Sequence, residues 1–494
     1  MNKLIGENRS FWRMSAKGLS YTKLANTVEV DVAVVGGGIS GILASYFLAK
    51  KGKKVALLES RELISGTTGG TTAKLSAQHE LVYNKLIKQS GEELARLYYE
   101  ANSKAIDMAE SLVKEYGIDC DFERTDAYVF SQKESSLEQL ESEEIAYRKL
   151  GIDGEMVDDI PISFDIKGAL VMRNQAQFHP VKFLQGILRE LEDMGAHIYQ
   201  HTKYMGYERD GDRLTLNTDA QFQVRCDDMI LATLFPAEDP ESFYSKTMKP
   251  STTHLTAFAH LDRNLKGMYI SNDRPELSFR SAYYEGEPVL IIGGQSHPTG
   301  DNVSTVERYE SIKDRVEKEF GLTEMLDYWS AHGYLTPDSR AFIGKLQKGT
   351  DSIYVMTGFN EWGMTTGIVG AELITDLIMG EENPYQPLYD PNRSLPKQQN
   401  HGKKLTPTIL DEAAELKEGQ AKKFEVDGKP AGMYKDANGE VHYMNLACTH
   451  LGCEVKWNDG DHTWDCPCHG SIFDGKGEVI SGPAKEPLKR VNPF

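Results

Sequence analysis

The 494-residue sequence predicts a large α/β region followed by a small all-β domain. Two patterns predict the α/β region: a β-rich run that ends in a glycine-rich turn near residue 36, and a late strand that leads into an apolar helix between about residues 353 and 379. A third pattern, two loops rich in cysteine and histidine that begin near residues 448 and 466, predicts a separate domain built around a metal centre.

The composition is that of an ordinary globular protein, with 40% hydrophobic and 26% charged residues. A net charge of -19 argues against nucleic acid or an anionic membrane surface as a partner. The first 26 residues have no apolar core of the kind found in signal peptides, and no apolar run approaches the roughly 18 to 20 residues of a membrane span. We therefore expect a cytoplasmic protein without a membrane span.

The first predicted unit is a βαβ motif. The run Val28–Val35 has the length and composition of a buried parallel strand, and it leads directly into Gly36-Gly-Gly38-Ile-Ser-Gly41. Residues 39–51 have helical periodicity, and Lys54–Glu59 is typical of a second strand that ends in an acid. A lone glycine pattern of this kind is weak evidence, but here the strand, the helix and the terminal acid are all in register. The motif therefore predicts a Rossmann-like dinucleotide site.

Each residue of this fingerprint has an expected role. Gly36 makes the tight turn, Gly38 lets the backbone approach a pyrophosphate, and Gly41 permits close packing of the helix. The helix N-terminus favours the phosphates electrostatically. Glu59 is placed to accept a hydrogen bond from a ribose hydroxyl.

Four later segments add to this picture. Ser65–Lys74, which includes Thr72, is rich in small hydroxyl residues and suits a loop around a diphosphate and a flavin, although a plain surface loop is the alternative. Asp228–Thr233 is typical of a strand that leads to a threonine. Thr336–Gly344 precedes the last strand of this region. That last strand is Ile353–Gly358, and after it Gly363–Gly367 opens a helix that reaches about Met379.

In this order the segments resemble the superfamily of D-amino-acid oxidase, glycine oxidase and sarcosine oxidase, over roughly residues 28–395. The resemblance implies a bound FAD. Its contacts are expected at the glycines of the fingerprint and of the last segment, at Glu59 and at four threonines: Gly36, Gly38, Gly41, Gly358, Gly363, Thr72, Thr233, Thr365 and Thr366. The helix that begins near Thr365 is expected to aim its N–H groups at the flavin carbonyl.

The resemblance also implies an order of domains. An oxidoreductase would occupy residues 1–400, with FAD-binding parts at about 28–80, 175–235 and 336–380. An α+β substrate domain would occupy about 81–174 and 236–335. A linker rich in Pro, Asn, Gln and Lys is expected at 381–404, and a small antiparallel domain at 408–494.

The substrate contacts are harder to predict. A substrate carboxylate would need a cation, and Arg340 and Arg280 are candidates. Tyr283, Asn360 and Trp362 are the other candidates, although each of the five could instead be exposed or packed. Two histidines are weighed separately: His179 is expected to be structural, and His79 either touches the flavin or caps a helix.

The C-terminal pattern consists of two half-sites, Cys448-Thr-His450-Leu-Gly-Cys453 and Cys466-Pro-Cys468-His469-Gly-Ser471. A Rieske [2Fe-2S] centre needs two thiolates on one iron and two imidazoles on the other. We assign Cys448 and Cys466 to the first iron, and His450 and His469 to the second. Zinc could use the same residue types, but zinc sites usually pair Cys with Cys and His with His.

The half-sites resemble those of Rieske proteins of the cytochrome bc type. This resemblance implies that Cys453 and Cys468 form a disulfide, that Ser471 donates a hydrogen bond to a cluster sulfide, and that Gly482-Pro-Ala484 covers the cluster. The usual tyrosine is replaced by Phe473. Because one hydrogen bond to a cysteine ligand should be missing, we expect a reduction potential below that of respiratory Rieske proteins.

Together these patterns predict a flavin dehydrogenase that oxidises a small amine, amino acid or hydroxy acid and passes electrons through the cluster to an external acceptor. No second dinucleotide fingerprint is present for a nicotinamide. An electron-transfer module without its own substrate is the alternative. A Rieske oxygenase fits less well, because the sequence has no convincing His-His-carboxylate triad for a mononuclear iron.

Overall fold

The computed structural model describes residues 8–301, 303–396, 416–426 and 428–491. The predicted start of the cluster domain at residue 408 and the predicted linker beyond residue 396 lie outside these ranges. The helices are α1 (Phe11–Met14), α2 (Ile39–Lys50), α3 (Thr67–Gly70), α4 (Val82–Tyr116), α5 (Leu137–Leu150), α6 (Pro180–Asp193), α7 (Phe243–Thr247), α8 (Thr305–Phe320), α9 (Gly363–Met379) and α10 (Gln386–Tyr389).

The strands of the described residues form five sheets. In chain order they are β1 (Val28–Glu29), β2 (Val32–Val35), β3 (Val55–Leu58), β4 (Lys74–Leu75), β5 (Glu123–Ser131), β6 (Gly154–Val157), β7 (Gly168–Gln177), β8 (His197–Tyr199), β9 (Tyr204–Asp210), β10 (Arg213–Thr218), β11 (Gln223–Cys226), β12 (Asp228–Leu231), β13 (Lys249–Phe258), β14 (Met268–Ser271), β15 (Leu277–Tyr284), β16 (Glu287–Pro298), β17 (Met325–Leu335), β18 (Phe342–Lys345), β19 (Ile353–Thr357), β20 (Ala421–Val426), β21 (Lys429–Lys435), β22 (Val441–Asn445), β23 (Lys456–Asn458), β24 (Thr463–Asp465), β25 (Ile472–Asp474) and β26 (Val479–Ser481).

The predicted FAD-binding parts are built on a six-stranded sheet in the order β18-β19-β12-β2-β3-β8. Strands β19, β12, β2, β3 and β8 pair in parallel, and β18 pairs antiparallel to β19. The four residues of β2 and of β3 are all buried, as their apolar composition predicts for a sheet covered on both faces. Helices α2 and α9 pack on this sheet and against each other, and α6 packs against α2. The predicted α/β fold class is therefore confirmed.

The predicted strand Val28–Val35 is instead two strands. Residues 28–29 pair with β11 in a separate four-stranded sheet, whereas residues 32–35 join the central sheet. Asp31 lies at the break, where its carboxylate accepts a hydrogen bond of 2.7 Å from the backbone N–H of Lys54. A polar residue with a local hydrogen-bond partner thus ends one strand before the next begins.

The predicted substrate domain is built on a nine-stranded sheet. Eight strands follow the order β17-β13-β16-β15-β14-β5-β7-β4, and β6 pairs with β7 at one side. Helices α4 and α5 lie within the predicted range 81–174, and β5 lies between them. Helix α4 is kinked at Gly91, where the backbone has a positive φ.

The C-terminal part is antiparallel, as predicted. It contains a three-stranded sheet, β20-β21-β22, and a four-stranded sheet, β23-β24-β25-β26. A buried cluster between them includes Trp464, Phe473 and Leu488. No helix in the described part of the chain has both the length and the apolar character that crossing a bilayer requires.

Candidate flavin and cluster sites

The glycine turn after β2 brings backbone segments so close together that a side chain would not fit between them. A Cβ on Gly36 would lie 2.4 Å from the carbonyl oxygen of Ala232, and Gly36 has a φ of +115°. A Cβ on Gly41 would lie 1.9 Å from the carbonyl oxygen of Gly36. The turn therefore leaves the backbone at the start of α2 without covering side chains at Gly36 and Gly41, as close approach of a pyrophosphate to the helix N-terminus requires.

Two side chains hold this turn in place. One carboxylate oxygen of Glu59 accepts a hydrogen bond of 2.8 Å from the N–H of Gly37, and the other accepts one of 2.9 Å from the N–H of Arg61. The hydroxyl of Thr68 accepts a hydrogen bond of 3.1 Å from the N–H of Ile39, at the N-terminus of α2. Thr68 was not predicted individually; the signal was the hydroxyl-rich loop in which it lies.

Of the predicted threonines Thr72 and Thr233, the second lies beside the turn. Thr72 is half-buried and follows Thr71, whose carbonyl accepts a hydrogen bond of 2.6 Å from the indole of Trp12. Thr233 follows β12, and its backbone nitrogen would lie 3.2 Å from a Cβ on Gly36. Thr233 therefore borders the predicted nucleotide site, whereas none of these contacts places Thr72 there, and the contacts of both threonines with FAD remain predictions.

Helix α9 begins at the predicted Gly363, and the side chains of its first turn are engaged by neighbouring elements. The Thr365 hydroxyl donates to the carbonyl of Ser76 over 3.0 Å and lies 3.1 Å from Nε2 of His79. The Thr366 hydroxyl donates to Asn102 over 3.2 Å. The N-cap residue Trp362 makes no side-chain hydrogen bond. The N–H groups at this end of the helix are thus left to serve a ligand such as the flavin carbonyl.

The loop that precedes α9 is conformationally restrained. Gly358, Asn360 and Glu361 have φ values of +68°, +51° and +69°. The side-chain oxygen of Asn360 accepts a hydrogen bond of 2.8 Å from the N–H of Thr336, and its nitrogen donates one of 2.9 Å to the carbonyl of Gly358. Such unusual backbone angles cluster at functional sites. Trp362 stacks on His79, with 4.6 Å between ring centroids.

The two predicted arginines are engaged within the protein. Arg280 is buried, donates to the carbonyls of Ala73 (2.7 Å) and Phe178 (3.2 Å), and lies over the ring of Trp12. Arg340 is also buried, and its guanidinium pairs with Asp338 at 2.9 Å.

The five predicted substrate contacts are therefore not brought together. Asn360 and Trp362 lie in the loop before α9, Arg280 and Arg340 are held by internal partners, and Tyr283 is exposed on β15. Their roles toward a substrate remain predictions. Of the two histidines, His179 caps α6 by accepting a hydrogen bond from the N–H of Lys182, in keeping with a structural role.

A group of charged side chains that sequence reasoning missed lies near the same loop. Glu361 accepts a hydrogen bond of 2.7 Å from the hydroxyl of Ser251. Surrounding protein atoms raise the pKa of Glu361 and of Glu80 by desolvation, and the carboxylate of Glu80 further raises the pKa of Glu361. Glu276 adds to both effects. The side chains of Glu80 and Glu361 nevertheless keep contact with solvent, a combination expected of groups that line a cleft.

Lys74 is a second residue that the sequence analysis did not single out. It is buried, and its ammonium group donates to the carbonyl of Tyr269 over 2.6 Å and to the hydroxyl of Ser278. Burial and the nearby charge of Arg280 lower the pKa of Lys74 to about 7. Its only sequence signal was a charged residue in a loop otherwise made of small side chains.

The four predicted cluster ligands converge on one point. Cys448 and Cys466 are buried, and the rings of His450 and His469 are 4.9 Å apart between centroids. The Nδ1 atoms of both histidines are buried and have no hydrogen-bond partner among the described residues. A buried nitrogen without a partner is costly unless it binds a metal, so these residues fit a Rieske cluster.

The two ligand loops have matching backbone geometry. The N–H of Gly452 donates to the carbonyl of Cys448 over 2.8 Å, and the N–H of Gly470 donates to the carbonyl of Cys466 over 3.0 Å. Both glycines have positive φ, at +77° and +70°. Each loop thus turns tightly so that a cysteine and a histidine face the same centre.

The residues around the ligands lie where the resemblance implies. Cys453 and Cys468 form a disulfide. The N–H of His450 and the Ser471 hydroxyl lie within hydrogen-bond reach of the Cys448 sulfur, and both lower the pKa of Cys448. Such donors favour a thiolate ligand.

The proline loop closes over the same site. A Cβ on Gly482 would lie 2.5 Å from the carbonyl oxygen of Gly470, and the N–H of Ala484 donates to the Ser471 hydroxyl over 3.1 Å. Phe473 is buried beside this loop in β25 and has no hydroxyl to donate.

The cluster loops also contact the larger, N-terminal part of the chain. This part comprises the described residues up to 396 and is called the oxidase half. The Tyr334 hydroxyl donates to the carbonyl of His469 over 3.0 Å, and the ring of Phe235 lies 6.4 Å from that of His450. At the far side of the interface, the Tyr309 hydroxyl donates to Asp461 over 2.9 Å. The predicted cluster ligands therefore lie at the interface between the oxidase half and the C-terminal domain.

Comparison with known proteins agrees with both sites. The family described as FAD dependent oxidoreductase matches residues 31–377, and the family described as Rieske [2Fe-2S] domain matches residues 406–492. The chain is 36% identical over 498 residues to a Bacillus subtilis (strain 168) protein described as a Rieske 2Fe-2S iron-sulfur protein, YhfW; the match covers 98% of this chain and 97% of that protein.

Two further similarities concern the oxidase half. The chain is 22% identical over 387 residues to the gamma-glutamylputrescine oxidoreductase of Escherichia coli (strain K12), covering 75% of this chain and 89% of that protein. The crystal structure of glycine oxidase from Geobacillus kaustophilus superposes with a TM-score of 0.64 at 18% identity, covering 75% of this chain and 100% of that chain. The structural match shows the fold alone.

Proposed function

Because the chain belongs to the FAD-dependent oxidoreductase family and carries a Rieske [2Fe-2S] domain, we propose that it is a dehydrogenase that oxidises a small amine and delivers the electrons to an external acceptor through the cluster. FAD and the [2Fe-2S] cluster are its cofactors. When bound, the flavin supplies two-electron hydride chemistry and the cluster supplies one-electron transfer.

One observation carries the electron-transfer part of this proposal: the cluster-binding loop touches the oxidase half within a single chain. The Tyr334 hydroxyl bonds to the carbonyl of the predicted ligand His469. The backbone carbonyl of Tyr334 in turn accepts a hydrogen bond of 3.2 Å from Asn360, in the loop before α9. One residue thus connects the surroundings of the two predicted cofactor sites, which supports transfer within the chain.

The charges near the loop before α9 favour an amine over a carboxylate substrate. A substrate carboxylate needs a free cation, but Arg280 and Arg340 are already held by carbonyls and by Asp338. The carboxylates of Glu80 and Glu361 would instead attract an ammonium group. Because their pKa values are raised, either could accept the proton that the amine must lose before it is oxidised. The relative named for gamma-glutamylputrescine supports a nitrogen-containing substrate.

An anaerobic screen tests the proposal. The purified holoprotein is mixed with monoamines, diamines, amino acids and 2-hydroxy acids, while flavin absorbance and the electron paramagnetic resonance (EPR) signal of the reduced cluster are followed. We expect an amine to bleach the flavin and to produce the cluster signal. Bleaching only by amino acids or hydroxy acids would exclude the amine class, and reduction only by a partner protein would favour an electron-transfer module.

A further inference from the structure

Two aromatic residues of the oxidase half meet the two cluster-binding loops, one on each loop. Tyr334 lies in β17 with 3% of its surface exposed, and its hydroxyl bonds to the carbonyl of His469. Phe235 packs against Tyr334, with 5.3 Å between ring centroids, and faces the ring of His450 at 6.4 Å. Both predicted histidine ligands therefore have an aromatic neighbour from the other half.

The oxidase half and the cluster-binding loops approach each other closely at this point. A Cβ on Gly470 would lie 2.6 Å from the side chain of Pro250 and 2.9 Å from the Tyr334 hydroxyl. A Cβ on Gly300 would lie 2.9 Å from the backbone nitrogen of Pro467. Two glycines, one on each side of the interface, thus permit contacts at backbone distance.

On its other side, Tyr334 belongs to the structure around the predicted flavin site. Its carbonyl accepts a hydrogen bond from the N–H of Asn360, and the side chain of Asn360 accepts one from the N–H of Thr336. Displacing Tyr334 would therefore disturb the loop before α9 as well as the loop around His469.

We propose that Tyr334 is the positioning residue of the contact between the flavin site and the cluster. Its hydroxyl holds the His469 loop in place and polarises a carbonyl beside the cluster, and Phe235 completes the contact on the His450 side. This inference rests on the proposed electron transfer within the chain and assigns it a residue. A hydrogen bond that withdraws electron density near a cluster favours its reduced state, so losing it lowers the reduction potential.

The matched variants are Tyr334→Phe and Tyr309→Phe. Both tyrosines are buried, each donates one hydrogen bond across the same interface, and each substitution removes one hydroxyl group. Tyr309 bonds to Asp461, which lies away from the ligand loops. Because the Tyr309 hydroxyl bonds to a carboxylate, loss of docking strength alone would affect Tyr309→Phe at least as much as Tyr334→Phe.

The readouts are the midpoint potential and EPR spectrum of the cluster, and the rate at which the cluster signal appears after the flavin is photoreduced. We expect Tyr334→Phe to lower the potential, to change the spectrum and to slow the transfer roughly tenfold or more, as loss of an outer-shell partner commonly does. Tyr309→Phe should leave all three unchanged. Identical behaviour of the two variants, or an unchanged potential in Tyr334→Phe, overturns the assignment.

Two further measurements keep the outcome decisive. If Tyr334→Phe does not fold, Phe235→Leu tests the same contact from the His450 side. We expect Phe235→Leu to slow electron transfer from the flavin to the cluster, and Tyr309→Phe to leave it unchanged. Equal electron-transfer rates in these two variants overturn the assignment. If photoreduction of the flavin never reaches the cluster in the natural protein, the proposed electron transfer fails. The potential of Tyr334→Phe still decides whether Tyr334 acts on the cluster.

Discussion

The carboxylate of Asp459, in the cluster domain, accepts a hydrogen bond of 2.8 Å from the backbone N–H of Thr305, the first residue of helix α8 in the oxidase half. The same carboxylate accepts hydrogen bonds from the hydroxyls of Ser304, over 2.7 Å, and of Thr305, over 2.9 Å. A residue of one domain thus caps a helix of the other. Because helix N-termini favour negative charge, this contact helps to fix the cluster domain in place.

Replacing Asp459 by Asn should lower stability by about 1 kcal/mol at neutral pH. Burial raises the pKa of Asp459, but the hydrogen bonds from Ser304 and Thr305 outweigh it and hold the pKa below its usual value. The stabilisation is therefore present above about pH 4, the unfolded range of an Asp, and is lost as the pH falls through the folded pKa. Thermal unfolding of both proteins at pH 7 and in acid measures this difference.

The exposed Asp193, near the end of α6, provides the control for this prediction. Asp193→Asn should change the melting temperature little at any pH. A difference between the natural protein and Asp459→Asn that stays constant into acid would contradict the charged cap.

The hydroxyl groups beside the cluster should set its reduction potential. Ser471→Ala removes a hydrogen bond to the Cys448 sulfur, and we expect the midpoint potential to fall. Phe473→Tyr adds the hydroxyl that the resembling Rieske proteins carry, and we expect the potential to rise. Redox titration followed by EPR measures both. Shifts of the same sign in the two variants would refute the predicted roles.

Gly41→Ala should abolish FAD binding, because the added Cβ would lie 1.9 Å from the carbonyl oxygen of Gly36. Gly18→Ala is the matched control, since a Cβ there would meet no atom within 4 Å. The flavin-to-protein ratio of the purified variants is the measurement. Full flavin occupancy in Gly41→Ala would show that the turn does not carry the nucleotide.

Glu361→Gln should raise the KM for an amine substrate about tenfold and change kcat less, because it removes a charge that attracts the bound ammonium. In the natural protein, KM should also rise as the pH falls through the raised pKa of Glu361. Steady-state kinetics with the amine found in the screen measures both effects. The exposed Glu382→Gln serves as control, and an equal rise in KM for both variants would argue against a local effect.

Elements with strong local patterns could be predicted from the sequence. Helix α9 begins at Gly363 and ends at Met379, because a glycine opens a long apolar stretch and Gly380 ends it. The cluster loops could also be predicted, because the spacing of Cys and His within each loop is itself the signal. The break of Val28–Val35 at Asp31 was missed, because its cause is a hydrogen bond to Lys54, a residue 23 positions away.

The contacts between distant segments could not be predicted. Tyr334 and His469 are 135 positions apart, and nothing in the pattern of either segment points to the other. Arg280 was predicted to bind a substrate carboxylate. It instead donates hydrogen bonds to backbone carbonyl groups, and no sequence pattern reveals such partners. Glu361 is a candidate site residue only because the fold places Ser251 and Glu80 near it.

The most direct test of electron transfer from the flavin site to the cluster within one chain is rapid freeze-quench EPR during a single anaerobic turnover. The holoprotein is mixed with the amine identified by the screen, without an external acceptor. We predict that the signal of the reduced cluster rises as the reduced flavin is partly reoxidised, at the same rate and independent of protein concentration. A flavin that stays fully reduced beside an oxidised cluster would contradict it.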